Sequence, residues 1–156
     1  MLNQEIIIAE ILLKYNISTS TAKKLKEFLS KAENYKYLYF MTETIKPKVR
    51  SEAPNETTKK IEISTENTDE IYLPPREYLH KNYNAEIFSI AEKGEKHKLH
   101  YHRLIATNQR IDYKEVQKKF RKSYYLHFEI LNFDDKTIKK VIEYMFKKKK
   151  KDENQK

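Results

Sequence analysis

The sequence contains no cysteine and, among its 156 residues, a single glycine, Gly94. Without thiols, the chain cannot form disulfides, thiolate zinc sites or a cysteine nucleophile. A phosphate-binding loop of the Walker or dinucleotide kind needs several glycines for close backbone approach, so ATP-driven activity is not expected. Every apolar run is shorter than the roughly 18 residues of a membrane span, and the first ten residues lack the basic region of a secretory signal. These absences predict a soluble, cytoplasmic chain without a membrane partner.

Basic residues are in excess, because 32 lysines and arginines against 23 acidic residues give a formal net charge of +9. Part of this charge lies in the run Lys147–Lys151, and residues 151–156 are predicted to form a disordered basic tail. The charge is compatible with a polyanionic partner, although solvated lysine faces are common. The 12 tyrosines and 7 phenylalanines could stack on exposed bases or simply fill a core. Composition alone leaves both interpretations open.

The N-terminal part of the chain has the apolar spacing of two helices. Residues 2–15 carry apolar side chains at helical intervals, and Ser18, Thr19 or Ser20 can cap a second helix. This pair, residues 1–35, is predicted to be either a helix-turn-helix or a helical hairpin packed on the main domain. The sequence leaves the two alternatives open.

The rest of the chain, residues 36–150, predicts one α+β domain. Strands are predicted at Tyr37–Ile45, Ala85–Ala91, Lys98–Thr107 and Tyr124–Asn132. Helices are predicted at Arg76–Tyr83, after an Asp112 cap, and after an Asp134 or Asp135 cap. Residues 46–75 read mainly as a polar loop with a short strand at Lys60–Ile63. This order predicts a ferredoxin-like antiparallel sheet with helices on one face, in addition to the N-terminal helical pair.

The residues with the clearest chemical potential surround Gly94. His100 and His102 alternate along a predicted strand, so both side chains point to one face of the sheet. If the register aligns Glu92 with His100, its carboxylate joins the same face. Two imidazoles and one carboxylate with open positions suit a catalytic divalent ion.

Four short segments carry a resemblance to a known family. His100–His102 resembles the histidine-hydrophobic-histidine motif of HUH endonucleases, and Glu92–Lys96 is similar to the turn that often precedes it. Phe40–Thr44 resembles the first motif of the family, and Tyr144–Lys147 its Y-x-x-K motif. The motifs occur in the family's order and span roughly residues 37–150. The resemblance implies a rolling-circle replication initiator with one catalytic tyrosine.

The resemblance also implies a mechanism, in which Tyr144 attacks a phosphodiester of single-stranded DNA and forms a 5′-phosphotyrosine. A tyrosine phenol ionises near pH 10, so a nearby cation such as Lys147 or Lys148 would favour the attack. The implied cofactor is Mn²⁺ or Mg²⁺, held by three side chains, those of Glu92, His100 and His102. The expected DNA-contacting residues are Thr42, Thr44, Lys140 and Arg103.

The implied partners are single-stranded DNA at an origin or hairpin, together with a host helicase and polymerase, since the chain has no helicase motif. The resemblance also implies a plasmid or virus gene in a bacterial or archaeal cell. The sequence leaves a monomer and a dimer equally open.

Two motif positions depart from the family pattern. Glu43 stands where leucine is usual in the first motif, and Arg103 follows the second histidine, where an apolar residue is commoner. Without the motif as context, Tyr144 could be an ordinary half-buried core residue. His127 alternates with apolar neighbours on a predicted strand, as a structural residue would.

Two other classes of function remain alternatives. A non-catalytic nucleic-acid-binding module would present Tyr37, Tyr39, Tyr101 or Tyr125 to bases from its sheet. The second alternative is a single-tyrosine transposase or a metal-independent ribonuclease on a similar fold. Detection of a covalent protein–DNA adduct separates a nicking enzyme from the binding module.

Overall fold

A computed structural model describes residues 4–46, 73–93 and 99–147. Five helices and four strands follow one another within these ranges: α1 (Gln4–Lys14), α2 (Thr19–Ala32), β1 (Tyr37–Ile45), α3 (Pro75–Tyr83), β2 (Glu86–Lys93), β3 (Leu99–Thr107), α4 (Tyr113–Phe120), β4 (Tyr124–Leu131) and α5 (Asp135–Phe146). The predicted strand at Lys60–Ile63, the turn at Gly94 and the tail at 151–156 lie outside the described residues. None of the described helices is long and apolar enough to cross a membrane.

The four strands form one antiparallel sheet in the order β2-β3-β1-β4. The α+β class and the antiparallel sheet with packed helices are therefore confirmed. Strand β1 lies between β3 and β4, with Thr42 aligned to His102 on one side and to His127 on the other. This central position places the first proposed motif beside the histidine motif.

Helices cover both faces of the sheet. The first face carries Leu38, Phe40 and Leu104 and packs against α1, α2 and α5. The second face, which carries Tyr39 and Met41 among others, packs against α3 and α4. The prediction of helices on one face only is wrong in this respect. Consecutive residues of β1 are apolar and point alternately to the two faces, so both faces are hydrophobic and helices must bury each of them.

The two N-terminal helices belong to the core of the first face. Ile11 of α1 and Leu29 of α2 are fully buried in the same cluster as α5. Two ion pairs join α1 to α5 at the surface, one of them between Lys14 and Glu143 at 3.2 Å. The helical pair therefore packs on the sheet and contacts the helix that carries the proposed nucleophile.

Local capping fixes the starts of three helices as the sequence predicts. The side chains of Ser18, Asp112 and Asp134 accept hydrogen bonds from backbone amides at the starts of α2, α4 and α5. Of the two candidates for α5, Asp134 is the cap and Asp135 is the first helical residue. These caps each satisfy an amide that the helix leaves unpaired.

Candidate active site

The candidate site lies where the first face changes from apolar to polar. Along β1, the buried Phe40 is followed on this face by Thr42 and Thr44. On β3, His102 and His100 align with these threonines, as the antiparallel register requires. The polar ends of two central strands therefore meet beyond the hydrophobic core.

Glu92, His100 and His102 lie on this face, as alternation predicts. Glu92 is aligned with His100 in the register, which confirms the expected pairing of β2 and β3. The hydrogen bond of its Oε1, however, is to Nε2 of His102, at 2.6 Å. His100 Nδ1 is 2.9 Å from the Thr44 hydroxyl oxygen. Glu92 thus pairs with His102, whereas His100 pairs with Thr44.

The donor set suits a divalent ion chemically, since imidazole and carboxylate are common ligands of such ions. His102 is buried, and among the described residues its Nδ1 has no hydrogen-bond partner, an unusual state for a buried polar atom. No group of three or more histidine or acidic side chains within the described ranges is arranged to hold a metal. The Thr44 contact engages Nδ1 of His100, so the other ring nitrogen, Nε2, is the one that could bind an ion, whereas Nε2 of His102 is bonded to Glu92.

Tyr144 is in direct contact with the histidine motif. Its ring meets the imidazole of His102 edge to face, with centroids 5.5 Å apart, and meets Phe40 in the same way at 5.9 Å. Phe40 in turn stacks on His102 with the two rings nearly parallel. Tyr144 is nonetheless 46% exposed, so it lies at the rim of the core and its ring is accessible.

Helix α5 orients this tyrosine through its apolar stripe. Ile138, Ile142 and Met145 are buried against the first face, which fixes the rotation of the helix about its axis. Lys147 follows the last turn, and its Nζ lies 4.2 Å from the centre of the Tyr144 ring. A cation at this distance over the ring face is attracted by the negative potential of the ring. The other predicted lysine, Lys148, lies outside the described residues.

Arg103 lies on the second face and does not reach the site. Its side chain is only 6% exposed, its Nε donates to Glu43 Oε1 at 2.9 Å, and its Nη1 donates to Ser89 Oγ at 2.6 Å. The expectation that Arg103 contacts DNA is therefore at odds with its position, because strand alternation sends it away from His102. The two departures from the family pattern, Glu43 and Arg103, instead form a buried ion pair with each other.

The tyrosines of the sheet do not share one exposed surface. Tyr39 is buried, and its hydroxyl accepts a hydrogen bond from the Ile111 amide. Burial raises the pKa of Tyr39. Tyr37 stacks on Tyr39, and Tyr101 lies under a guanidinium group on the same second face, whereas the exposed Tyr125 belongs to the first. The arrangement does not form the base-stacking platform of the alternative binding module.

A groove of about 830 Å³ runs between β4 and α5 and ends at Tyr144. Thr42 and Lys140, both expected at the DNA interface, line it, as do His127 and Glu129. Neither of these last two residues was predicted at the site from the sequence. The His127 side chain is 69% exposed and its Nε2 lies 3.6 Å from Glu129 Oε2, so His127 belongs to the surface of the groove and not to the core. Their alternation with buried Leu126 and Phe128 was the signal that both face away from the opposite core.

The chain resembles proteins of an archaeal virus. Residues 34–148 match the family described as "Virus, 117-like". Uncharacterized protein 117 of Sulfolobus islandicus rod-shaped virus 1 is 30% identical over 128 residues, which cover 81% of this chain and 96% of that protein. The crystal structure of the hypothetical protein ORF119 from the same virus aligns with a TM-score of 0.55 and 31% identity, over 83% of this chain and 97% of the other. The chain therefore belongs to the Virus, 117-like family.

Proposed function

We propose that this protein is a single-stranded DNA nicking and joining endonuclease of the HUH type, which initiates rolling-circle replication. The observation that carries the proposal is the contact between Tyr144 and the His102 imidazole, with ring centroids 5.5 Å apart. Three motifs that are far apart in the sequence supply the neighbouring groups Phe40, His102 and Tyr144. An ordinary core tyrosine needs neither a lysine ammonium group over its ring nor a carboxylate-paired histidine beside it.

The proposed reaction is a transfer of a phosphoryl group to Tyr144. The phenol oxygen bonds to phosphorus, the bond from phosphorus to the 3′ oxygen breaks, and in net terms the phenol proton passes to that oxygen. Lys147 stabilises charge on the phenol oxygen during attack. Attack by a free 3′-hydroxyl on the phosphotyrosine reverses the step and joins strands. The tyrosine is thereby released for another cycle.

Glu92, His100 and His102 are the residues that would hold Mn²⁺ or Mg²⁺. A bound divalent ion would supply charge neutralisation at the phosphate. Within the protein, Glu92 orients the His102 imidazole, and Thr44 orients that of His100. The buried position of His102 keeps one edge of its ring away from water.

The proposed substrate is single-stranded DNA at an origin or hairpin, and unwinding and extension would fall to a host helicase and polymerase. The released 3′-hydroxyl is the chemical group that a polymerase extends. The virus relatives favour a viral gene that acts in the cytoplasm of an archaeal host.

The test is adduct formation with a library of stem-loop single-stranded DNAs in the presence of Mn²⁺. We expect the wild-type chain to form a covalent adduct on Tyr144 and the Tyr144→Phe variant to form none. Tyr125→Phe is the matched control, because Tyr125 is also an exposed tyrosine of the first face, but its ring lies under the ammonium group of Lys46. A nucleotide found by mass spectrometry on a peptide without Tyr144, or an active Tyr144→Phe variant, would refute the assignment.

A further inference from the structure

The groove beside Tyr144 has two walls of different chemistry. One wall is α5, from which Lys136 and Lys140 border the groove. Both lysines are exposed, and neither forms an ion pair with another residue in the parts of the chain that the structure describes. The other wall is β4, which contributes His127 and Glu129. The positive charge of the groove is thus concentrated on the helix side.

Lys136, Lys140 and Tyr144 form a row along the helix. They are four residues apart, so successive members lie about 6 Å from each other along the helix axis, on nearly the same side. This interval is comparable with the step between successive phosphates in an extended single strand. A strand whose reacting phosphate lies at Tyr144 would therefore place its next two phosphates beside Lys140 and then Lys136.

The floor and the far wall suit bases rather than phosphates. Phe40 of β1 and Leu131 of β4 give the sheet side of the groove apolar surface against which unpaired bases can pack. Glu129 would repel a phosphate, whereas its carboxylate can accept hydrogen bonds from the exocyclic amines of bases. The groove therefore has a phosphate side on α5 and a base side on β4.

We infer that this groove is a subsite for the two nucleotides that adjoin the reacting phosphate on one side, with their phosphates on Lys140 and Lys136 and their bases against β4. The identity of the ligand as single-stranded DNA rests on the proposed function. The subsite itself rests on the groove, the spacing of the cations and continuity with Tyr144.

The test compares two double variants that remove equal charge. Lys136→Ala/Lys140→Ala alters the groove, and Lys114→Ala/Lys118→Ala is the control, because Lys114 and Lys118 are exposed at the same spacing on α4, across the sheet. Binding of a fluorescein-labelled oligocytidylate, whose bases carry exocyclic amines, to the 156-residue chain is followed by anisotropy at several salt concentrations, with EDTA present to prevent cleavage.

Each phosphate contact on a single strand contributes about 0.7 to the salt slope, which corresponds to about fivefold in affinity at 0.1 M salt. We therefore expect the groove variant to lose about 25-fold in affinity and about 1.4 of the slope. The control variant should retain both. Equal losses of affinity in the two variants would indicate only nonspecific electrostatic attraction. Unchanged affinity in the groove variant would mean that DNA does not bind in the groove. Either result overturns the inference.

The outcome is separable from that of the proposed function. If the wild-type chain binds through the groove but forms no adduct on Tyr144 with Mn²⁺, nicking is refuted and the subsite remains. If the adduct forms and the groove variant binds as tightly as the wild type, the subsite is refuted and nicking remains. Circular dichroism of both variants verifies that they are folded.

Discussion

The ion pair between Glu43 and Arg103 allows the sharpest test of the physical reasoning. Both side chains are almost completely buried, at 3% and 6% exposure, and their bond is 2.9 Å long. The guanidinium also donates to Ser89 and lies over the Tyr101 ring. Replacing Glu43 by leucine, the residue that is usual at this position in the first motif of HUH endonucleases, leaves the guanidinium charge buried without its carboxylate.

The expected magnitude follows from the cost of an uncompensated buried charge. Glu43→Leu should lower the free energy of unfolding by about 3–5 kcal/mol, and Arg103→Met by a similar amount. The double variant replaces the pair by apolar side chains, so its stability should lie within about 1 kcal/mol of the wild type or above it. The coupling free energy between the two substitutions should therefore be large, with the sign that restores stability in the double variant.

Urea unfolding followed by circular dichroism measures the four stabilities, and unchanged m-values establish that the same transition is compared. Glu86→Gln is the control, because Glu86 forms an exposed pair with Lys31 at 3.9 Å and should change stability by less than about 1 kcal/mol. If a single variant fails to fold, the double variant still folds under this reasoning, and its recovery is itself the result.

Two outcomes would contradict a buried pair in which Glu43 and Arg103 compensate each other. Single variants of Glu43 and Arg103 that stay within about 1 kcal/mol of the wild type would mean that the pair is not the buried unit that its geometry indicates. A double variant as unstable as the sum of the two singles would mean that the two residues act independently.

Three further predictions concern the site and its helix. His100→Ala/His102→Ala should abolish Mn²⁺-dependent nicking and the rise of Tm on addition of the metal, which calorimetry detects, and full cleavage would contradict the metal assignment. Lys147→Ala should lower the rate of adduct formation in quench-flow while DNA affinity changes little, and an unchanged rate would exclude its role beside Tyr144. Hydrogen bonds from the amide and hydroxyl of Thr137 lower the pKa of Asp134 in the folded protein. The stability that the ionised carboxylate adds is therefore fully present above the pKa of the unfolded chain, near 3.9, and is lost as pH falls through the lower pKa of the folded protein. In the Asp134→Asn variant, the amide side chain can still cap the helix but does not ionise, so the fall of Tm with pH below about pH 4 should be smaller than in the wild type. An unaltered pH dependence of Tm would contradict this assignment.

Local signals in the sequence determined the elements of this protein. Caps act over three residues, so Asp112 could be identified, and the other two caps narrowed to Ser18–Ser20 and to Asp134 or Asp135, before any tertiary structure was known. Alternation along a strand is equally local, and it correctly placed His100 and His102 on one face. The bounds of β1 agree with the prediction for the same reason, because its aromatic and β-branched run is continuous.

Longer-range features were only partly accessible. The register that aligns Glu92 with His100 could be proposed, but the hydrogen bond of Glu92 to His102 depends on side-chain rotamers that pairing does not fix. His127 was assigned a structural role because its apolar neighbours were visible in the sequence and the groove was not. A groove exists only once α5 has packed against the sheet.

Composition, capping residues and side-chain alternation set the fold class, the starts of three helices to within one or two residues, and the shared face of the two histidines. The tertiary structure alone decided that helices cover both faces, that Tyr144 contacts His102, and that Glu43 and Arg103 compensate each other. The physical reason is the range of the interactions. Capping and side-chain alternation are set by neighbours in the chain, whereas ring contacts and buried ion pairs arise from packing between elements that are distant in sequence.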